Sequence, residues 1–244
     1  MTENWQRYLQ YSDSDLPIMS SHTFYAPALS SDAVVLDLGG STAAFANAVA
    51  HLYGCRCHVA EATSRNIANI VETELISKYH CAICGEDGPI RLWIAEDDFH
   101  WGSVQPTGDF EYNESETVPG MTFTSFLKTT GVEAPDLVKL DIEGAEFAVF
   151  ETTSDQILQN VGQFTVEFHD FMSPDWAGRV EPIKERMSDL GFEVFSYSRR
   201  FHGDVLFLNR QVAPITGWQR FDMGVRLKNY RGLRRMLNHY LGSI

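Results

Sequence analysis

The feature that most restricts this chain is a repeated pattern in which a short apolar run ends on an acidic residue and leads into a helical segment. Ala33-Val-Val-Leu-Asp37 passes through Leu38-Gly-Gly-Ser-Thr42 into an Ala-rich stretch, Ala43 to Tyr53, closed by Gly54. A run this short, β-branched and apolar throughout reads as a strand buried on both faces. The Gly-Gly pair marks a tight turn, Ser41 and Thr42 offer a helix start, and Gly54 suits a helix C-terminus. Cys57-His-Val-Ala-Glu61 repeats the pattern. The spacing of Ile67, Ile70, Val71 and Leu75 then predicts a helix over Thr63 to Lys78, and Tyr79 to Cys84 reads as a third strand.

Further on, a helix is expected over Thr122 to Thr130, a fourth strand over Asp136-Leu-Val-Lys-Leu-Asp141, and a helix from Gly144 to Glu151. Phe164-Thr-Val-Glu-Phe-His169 reads as the fifth strand. A helix ending near Leu190 comes next, with Pro182 in its first turn, where a missing N–H costs little. Phe192 to Tyr197 and Asp204 to Leu208 read as two closing antiparallel strands. Strands alternating with helices imply an α/β fold, a mostly parallel sheet with helices on both faces. Between the third and fourth strands, Gly85-Glu-Asp-Gly88 is a turn, Pro89 to Ala95 suggests a hairpin, and residues 96–120 read as a long polar loop holding His100, Trp101 and Ser103.

Charge is divided along the chain. Residues 1–178 hold 7 basic and 27 acidic side chains, residues 179–244 hold 12 and 6, and the net charge is -14. An acidic body argues against wrapping a nucleic-acid backbone. No stretch approaches the roughly 20 apolar residues of a bilayer span, and Met1 to Gln10 lacks a signal-peptide core, so a cytoplasmic location is expected. Cys55, Cys57, Cys81 and Cys84 lie in or beside apolar runs and read as reduced, packed thiols rather than as zinc knuckles. Residues 1–32, with scattered aromatics, read as an N-terminal arm, partly helical, with the means to act as a lid. Phe221 to Ile244 reads as a basic amphipathic helix with Tyr230, Leu233, Leu237, Tyr240 and Leu241 on one face. Its docking place is its own domain, a second subunit of a homo-oligomer or an anionic membrane surface, with the membrane the least favoured.

Two constellations carry chemistry. In a parallel sheet, ligands bind at the carboxyl ends of the strands. Asp37, the glycine turn and Glu61 all fall there, and a carboxylate at Glu61 can accept from ribose hydroxyls. The turn lacks the G-x-G-x-x-G spacing that a pyrophosphate needs, and Asp37 beside it suits a ligand carrying an ammonium group. S-adenosylmethionine is such a ligand; a tight βα turn without any ligand is the plain alternative. The second constellation is Lys139, Asp141, Glu143 and Glu146, charges that cannot all be buried without partners. Helix electrostatics account for Glu146 but not for Asp141, which is still on the strand.

Leu137-Val-Lys-Leu-Asp-Ile-Glu-Gly-Ala-Glu146 resembles the signature of FkbM-family methyltransferases. The resemblance extends through Val34 to Phe45, Val59-Ala-Glu-Ala62, Thr122 to Leu127, Thr165 to His169 and Leu190 to Val194, covering Ala33 to Asn209. It implies a Rossmann-like seven-stranded methyltransferase sheet over residues 33–210, flanked by the arm (1–32) and the basic helix (211–244). It also implies methyl transfer from S-adenosylmethionine to a hydroxyl of a small molecule, a sugar or a secondary metabolite. By position, Asp37, Gly39, Gly40 and Glu61, with Ser41 and Ala62 beside them, hold the cofactor, and Asp141 lies at the reacting edge. Ala43 departs from the pattern, standing where many members have glycine.

Strand alternation places Glu167 and His169 on one side, next to Asp141. Two roles are open to the three as catalytic residues: His169 is the general base for the acceptor hydroxyl, or Asp141, Glu167 and His169 hold a divalent metal such as Mg²⁺ that acidifies it. A nicotinamide-dependent oxidoreductase and a non-catalytic binding protein of the same fold are the competing readings.

Overall fold

In the computed structural model, residues 9–11, 15–95, 102–104, 112–198, 201–230 and 232–233 are described. The arm forms three short antiparallel strands, β1 (Leu9–Tyr11), β2 (Ile18–Met19) and β3 (His22–Thr23), with a 3₁₀ turn behind them at Ala26–Ala28. Among the described residues of the arm the regular structure is strand and one 3₁₀ turn, and the expected α-helix is not among them. Ser20 and Ser21 join β2 to β3 with φ of 47° and 67°, the two positive values of a tight hairpin turn.

The alternating core then begins with β4 (Val34–Leu38), α1 (Ala44–Tyr53), β5 (Arg56–Glu61), α2 (Ser64–Asn69) and β6 (Ile76–His80). A second sheet is built from β7 (Ala82–Ile83), β8 (Gly88–Ala95), β9 (Gly102–Ser103) and β10 (Tyr112–Met121). The chain returns through α3 (Phe123–Thr130), β11 (Leu137–Leu140), α4 (Glu146–Thr152), α5 (Asp155–Gln159), β12 (Gln163–Val166), α6 (Val180–Asp189), β13 (Phe192–Ser196) and β14 (Val205–Asn209). The main sheet has seven strands in the order β13-β14-β12-β11-β4-β5-β6, with β14 antiparallel to both neighbours. Helices cover both faces, which makes this a Rossmann-like α/β fold.

Every residue of β11 and β12 is buried, and alternation still decides which layer each side chain joins. Val138, Leu140, Phe164 and Val166 pack with α3, α4 and α6, whereas Val35, Leu137 and Val59 pack with α1 and α2. Phe150 anchors the first layer, its ring 5.5 Å from Phe164 and 5.6 Å from Phe207.

Three expectations are corrected. The helix expected over Thr63 to Lys78 ends at Asn69, and Ile76 to His80 is the third parallel strand. Free strand hydrogen bonds at the edge of β5 outweigh the helical spacing. Lys78 then closes the short helix, its Nζ donating to the carbonyls of Ile67 (2.9 Å) and Ile70 (2.8 Å), while Val71 is 73% exposed. The polar loop expected over 96–120 is shorter, because Tyr112 to Met121 pairs antiparallel with β8. That strand reads as polar because Val118 is its one buried apolar side chain among the described residues. His100 and Trp101 lie outside the described residues.

The tail helix starts earlier than expected, at α7 (Gly217–Phe221), behind a Thr216–Gln219 capping box, and widens into a π-helical turn over Asp222–Leu227. It docks on its own domain through Met223 and Leu227, which pack with Phe195, Leu206 and Leu208. The extra residue in the π turn rotates the helix beyond it, so Tyr230 and Leu233 of the expected apolar face are about half exposed. Leu237, Tyr240 and Leu241 lie outside the described residues. The four cysteines are free and buried, as expected. Among the described residues no helix is long and apolar enough to cross a membrane.

Candidate active site

A cleft of about 320 Å³ opens at the carboxyl ends of β4, β5 and β11, between the main sheet and the β8–β9 strands. Of the residues expected to bind the cofactor, Gly39, Ser41, Glu61 and Ala62 line it. Glu61 is buried at the end of β5, where its Oε1 accepts from Thr63 N (2.8 Å) and Thr63 Oγ1 (2.7 Å) and its Oε2 accepts from Ser41 N (2.7 Å). Three of about four acceptor positions of the carboxylate are thus filled within the protein. One remains for a ligand hydroxyl, and a second opens if the Thr63 hydroxyl swings away.

Gly39 and Gly40 do more for packing than for ligand access. A Cβ on Gly39 (φ +83°) would lie 1.7 Å from the Asp141 carbonyl oxygen, and one on Gly40 would lie 2.1 Å from Val59 Cγ1. The turn's N–H groups are also committed, since Gly39 and Gly40 both donate to the Ala60 carbonyl at 3.0 Å and Ser41 donates to Glu61. No amide of Gly39, Gly40 or Ser41 is left to cradle a phosphate, which disfavours a dinucleotide. Ala43 sits at φ 56°, ψ 29°, the left-handed region where glycine is unstrained, so its departure from the family pattern strains the turn without abolishing it.

Asp37 is placed differently from the expectation. It is fully buried behind the turn, its Oδ2 accepting from Ala46 N (3.2 Å) and its Oδ1 lying 3.1 Å from Lys139 Nζ. The ammonium it faces belongs to the protein rather than to a ligand. Lys139 also lies 3.4 Å from Asp141 Oδ2 and donates to the Gly39 carbonyl at 2.9 Å. Burial opposes the lysine's charge, but Asp37 and Asp141 outweigh it and hold Lys139 above the usual range. Burial likewise opposes charge on Asp141, yet Lys139 and then His22 hold its carboxyl below the usual range.

Asp141, just past β11, is the hinge of two groups. On one side it meets His22 and Glu167; on the other, Glu143 and His169. The three residues expected to act together as Asp141, Glu167 and His169 are thus divided between two clusters that share Asp141. The reason is that β12 ends at Val166, so strand alternation does not reach Glu167 and His169. His169 is almost fully buried, with Nδ1 2.9 Å from Glu146 Oε1 and Nε2 3.2 Å from Glu143 Oε2 and 3.7 Å from Asp141 Oδ1. Burial disfavours its charge, but Glu146, Glu143 and Asp141 prevail and raise its pKa to about 10. Burial, with Asp141, Glu146 and Glu167 nearby, pushes Glu143 up to about 7 against the pull of His169.

Three contributors had no site role assigned from the sequence: His22, and Glu143 and Glu146 of the charged constellation. His22 reaches Asp141 Oδ2 at 3.5 Å and Thr165 Oγ1 at 3.3 Å from the N-terminal hairpin. The hairpin is pinned across the sheet by Thr23 on Asp204 and by Tyr25 on Gln163. The hint in the sequence was Ser20-Ser21 between Ile18-Met19 and His22-Thr23, a two-residue turn between β-capable pairs. Glu146 is fully buried and accepts from Ile142 N (2.9 Å) and Gly144 N (3.0 Å) besides His169, so it organises the turn as well as favouring the helix start. Glu143 stands at φ 54°, a strained value for a non-glycine residue, with its carbonyl held by Ser103 Oγ at 3.0 Å.

No curated protein sequence matches this chain. Solved structures similar in fold include Aeropyrum pernix fibrillarin with natively bound S-adenosyl-L-methionine (10% identity, 75% of this chain and 68% of that one, TM-score 0.41). A precorrin-6y C5,15-methyltransferase from Geobacter metallireducens GS-15 matches at 12% identity over 74% of this chain and 80% of its own, TM-score 0.35. A chain from the complex of the Haloferax volcanii Trm112 methyltransferase activator with a methyltransferase matches at 12% identity and TM-score 0.35, over 68% of this chain and only 64% of that one. The model of the methyltransferase FkbM domain matches residues 32–194, two thirds of the sequence, and the matched segment includes the cleft's Gly39, Glu61, Asp141 and Glu143. The chain therefore belongs to the FkbM methyltransferase family.

Proposed function

We propose that this protein transfers the methyl group of S-adenosylmethionine to a hydroxyl oxygen of a small molecule, a sugar or a secondary metabolite. The observation that carries the reading is that Glu61, on the cofactor side, and Asp141 with Glu143, on the reacting side, line one cleft. The residues present fit the cofactor: Glu61 keeps a free acceptor position for a ribose hydroxyl, and Ala60, Ile83 and Leu92 give an apolar wall for an adenine. The committed amides of the glycine turn favour S-adenosylmethionine over NAD.

Bound there, S-adenosylmethionine would supply an activated methyl: its C–S bond would break with the electrons to sulfur as the C–O bond formed, and the acceptor's hydroxyl proton would pass to water in the open cleft. The chain's part is to align oxygen, carbon and sulfur, the largest single gain open to a displacement of this kind. Asp37, Asp141, Lys139 and Gly39 act as positioning residues, tying the ends of β4 and β11 together beneath the cleft. The role expected for His169 as general base is disfavoured by its surroundings. Three carboxylates hold it as an imidazolium at neutral pH, with no lone pair for the acceptor's proton.

The test is calorimetric titration with S-adenosylhomocysteine, using NAD as the control. Glu61→Ala removes a charged acceptor, and a ribose contact of that kind is worth about 1.5–3 kcal/mol, or roughly ten- to a hundred-fold in Kd. Glu61→Gln, which keeps one acceptor oxygen, is expected to lose less. Binding of NAD in place of S-adenosylhomocysteine would overturn the reading. Once binding is seen, hydroxylated sugars and metabolites are screened as acceptors.

A further inference from the structure

We propose that Asp141, Glu143 and His169 form a binding site for one divalent first-row transition ion, of which Mn²⁺ is the probe of choice, with Glu146 as the carboxylate that orients the imidazole. The site differs from the sequence expectation in membership and in metal. Glu143 replaces Glu167, and an imidazole among the donors suits Mn²⁺ better than Mg²⁺. Binding itself is independent of the methyl donor; only the ion's use in acidifying an acceptor hydroxyl rests on the function proposed above.

The donors converge on one point. Glu146 accepts from Nδ1–H of His169, which leaves Nε2 as the lone-pair nitrogen of the neutral ring. Once the second ring proton is given up to an entering ion, that lone pair faces two carboxylate oxygens, Glu143 Oε2 at 3.2 Å and Asp141 Oδ1 at 3.7 Å. Three Lewis bases facing one another repel unless a cation lies between them, whether a proton or a metal ion. Their spacing suits an ion: donors about 2.1 Å from a metal in adjacent octahedral positions lie about 3 Å apart. All three donor atoms lie within 4.8 Å of one another.

The imidazole is also held from behind. A metal-ligating histidine almost always gives its other ring N–H to a carboxylate or carbonyl, which fixes tautomer and orientation. Glu146 does this here, and is itself fixed by the amides of Ile142 and Gly144. Charge points the same way. Asp37, Asp141, Glu143, Glu146 and Glu167 crowd this edge, and Lys139 is the one permanent cation bonded to any of them among the described residues. Its Nζ faces Asp37 Oδ1 and Asp141 Oδ2, leaving Asp141 Oδ1 for the proposed ion. Finally, the side chains of Asp141 and Glu143 are about a quarter exposed and line the cleft, whereas His169 is buried behind them. Three protein donors and an open side toward a cleft are the arrangement of a catalytic rather than a structural metal.

The test uses full-length protein stripped with a chelator and dialysed. Calorimetry with MnCl₂ alone, with the electron-spin signal of free Mn²⁺ as a second readout, is expected to show one ion per chain. Asp141→Asn and His169→Gln are expected to weaken binding more than tenfold, and Glu146→Gln about ten- to a hundred-fold through the orientation of His169. His22→Gln and Glu167→Gln are expected to leave it within about threefold, which separates this cluster from the neighbouring one. Far-ultraviolet circular dichroism of each variant reports that its fold is intact; failure of the parent to bind S-adenosylhomocysteine would strike at the proposed function and not at the metal site. No Mn²⁺ uptake by folded parent protein at millimolar ion would overturn the proposal. So would loss of uptake in His22→Gln and Glu167→Gln with Asp141→Asn and His169→Gln unchanged.

Discussion

Lys139→Met isolates the contribution of the buried ion cluster at the junction of β4 and β11. Methionine is close to lysine in length and fills most of its space, but it removes an ammonium that lies 3.1 Å from Asp37 Oδ1, 3.4 Å from Asp141 Oδ2 and 2.9 Å from the Gly39 carbonyl. Lys139 is 3% exposed and Asp37 fully buried, so water cannot replace the lost partner. Removing one member of a buried pair costs about 3–5 kcal/mol, chiefly because the remaining charge is left uncompensated. For a chain of this size each kcal/mol moves Tm by roughly 2–4 °C, so a fall of about 6–20 °C is expected. The pH dependence has a definite sign. In the parent the Asp141 carboxyl is depressed, so its contribution is present above the unfolded value and is lost as pH falls through the folded one. In the variant Asp141 loses the cation that favours its ionised form, so the deficit is expected to shrink on acidification. Asp37→Asn added to Lys139→Met is expected to recover part of the loss. Thermal and urea unfolding monitored by far-ultraviolet circular dichroism, in chelator, measures all three proteins. A Tm within about 2 °C of the parent, or a deficit that grows on acidification, would mean that the ammonium does not hold this cluster together.

Two further outcomes are expected. His169 has its pKa raised to about 10 in the folded, metal-free protein from an ordinary value of 6.5, so its contribution is full below about pH 6.5 and is lost as pH rises toward 10. Glu143, raised to about 7, acts in the same direction between its ordinary range and pH 7. Unfolding free energy of chelated protein is therefore expected to fall by a few kcal/mol from mildly acidic pH to pH 10, and the part above pH 6.5 to vanish in His169→Gln; a parent slope that survives that substitution would show the cause lies elsewhere. Ser21→Gly relieves a φ of 67° at an exposed hairpin position. The left-handed penalty of about 1–2 kcal/mol exceeds the extra chain entropy of glycine, about 0.5–1 kcal/mol, so a gain near 0.5 kcal/mol is expected in urea unfolding. A loss would mean that the turn is not strained at Ser21.

The core was legible wherever local pattern and tertiary demand agreed. Val34 to Leu38 and Leu137 to Leu140 are apolar apart from Asp37 and Lys139, which face each other, because a central parallel strand is buried on both faces. Thr122 and Gly131 bound α3 because a hydroxyl cap and a left-handed C-terminal residue are local requirements. Where the expectation failed, a long-range term had won. Ile76 to Lys78 follow the helical spacing of Ile67 to Leu75 but belong to a strand that completes a sheet edge, and Tyr112 to Met121 looks like loop because its partner strand, not its own pattern, holds it. Past one π-helical turn, Tyr230 and Leu233, the described part of the tail's expected face, turn outward.

At the site, local pattern was enough to say which chemistry-bearing residues stand at strand ends: Glu61 closing β5 and Asp141 just after β11, because a parallel sheet brings the ends of its strands to one edge. It also announced, through Lys139, Asp141, Glu143 and Glu146, a cluster of charge that needed partners. Which partners they found was a matter for the tertiary fold. It committed Asp37 to Lys139 rather than to a ligand, brought His22 from 119 residues away to Asp141, and separated Glu167 from His169 by ending β12 at Val166. Such outcomes depend on where distant segments pass within a few ångströms of one another, which no local periodicity encodes.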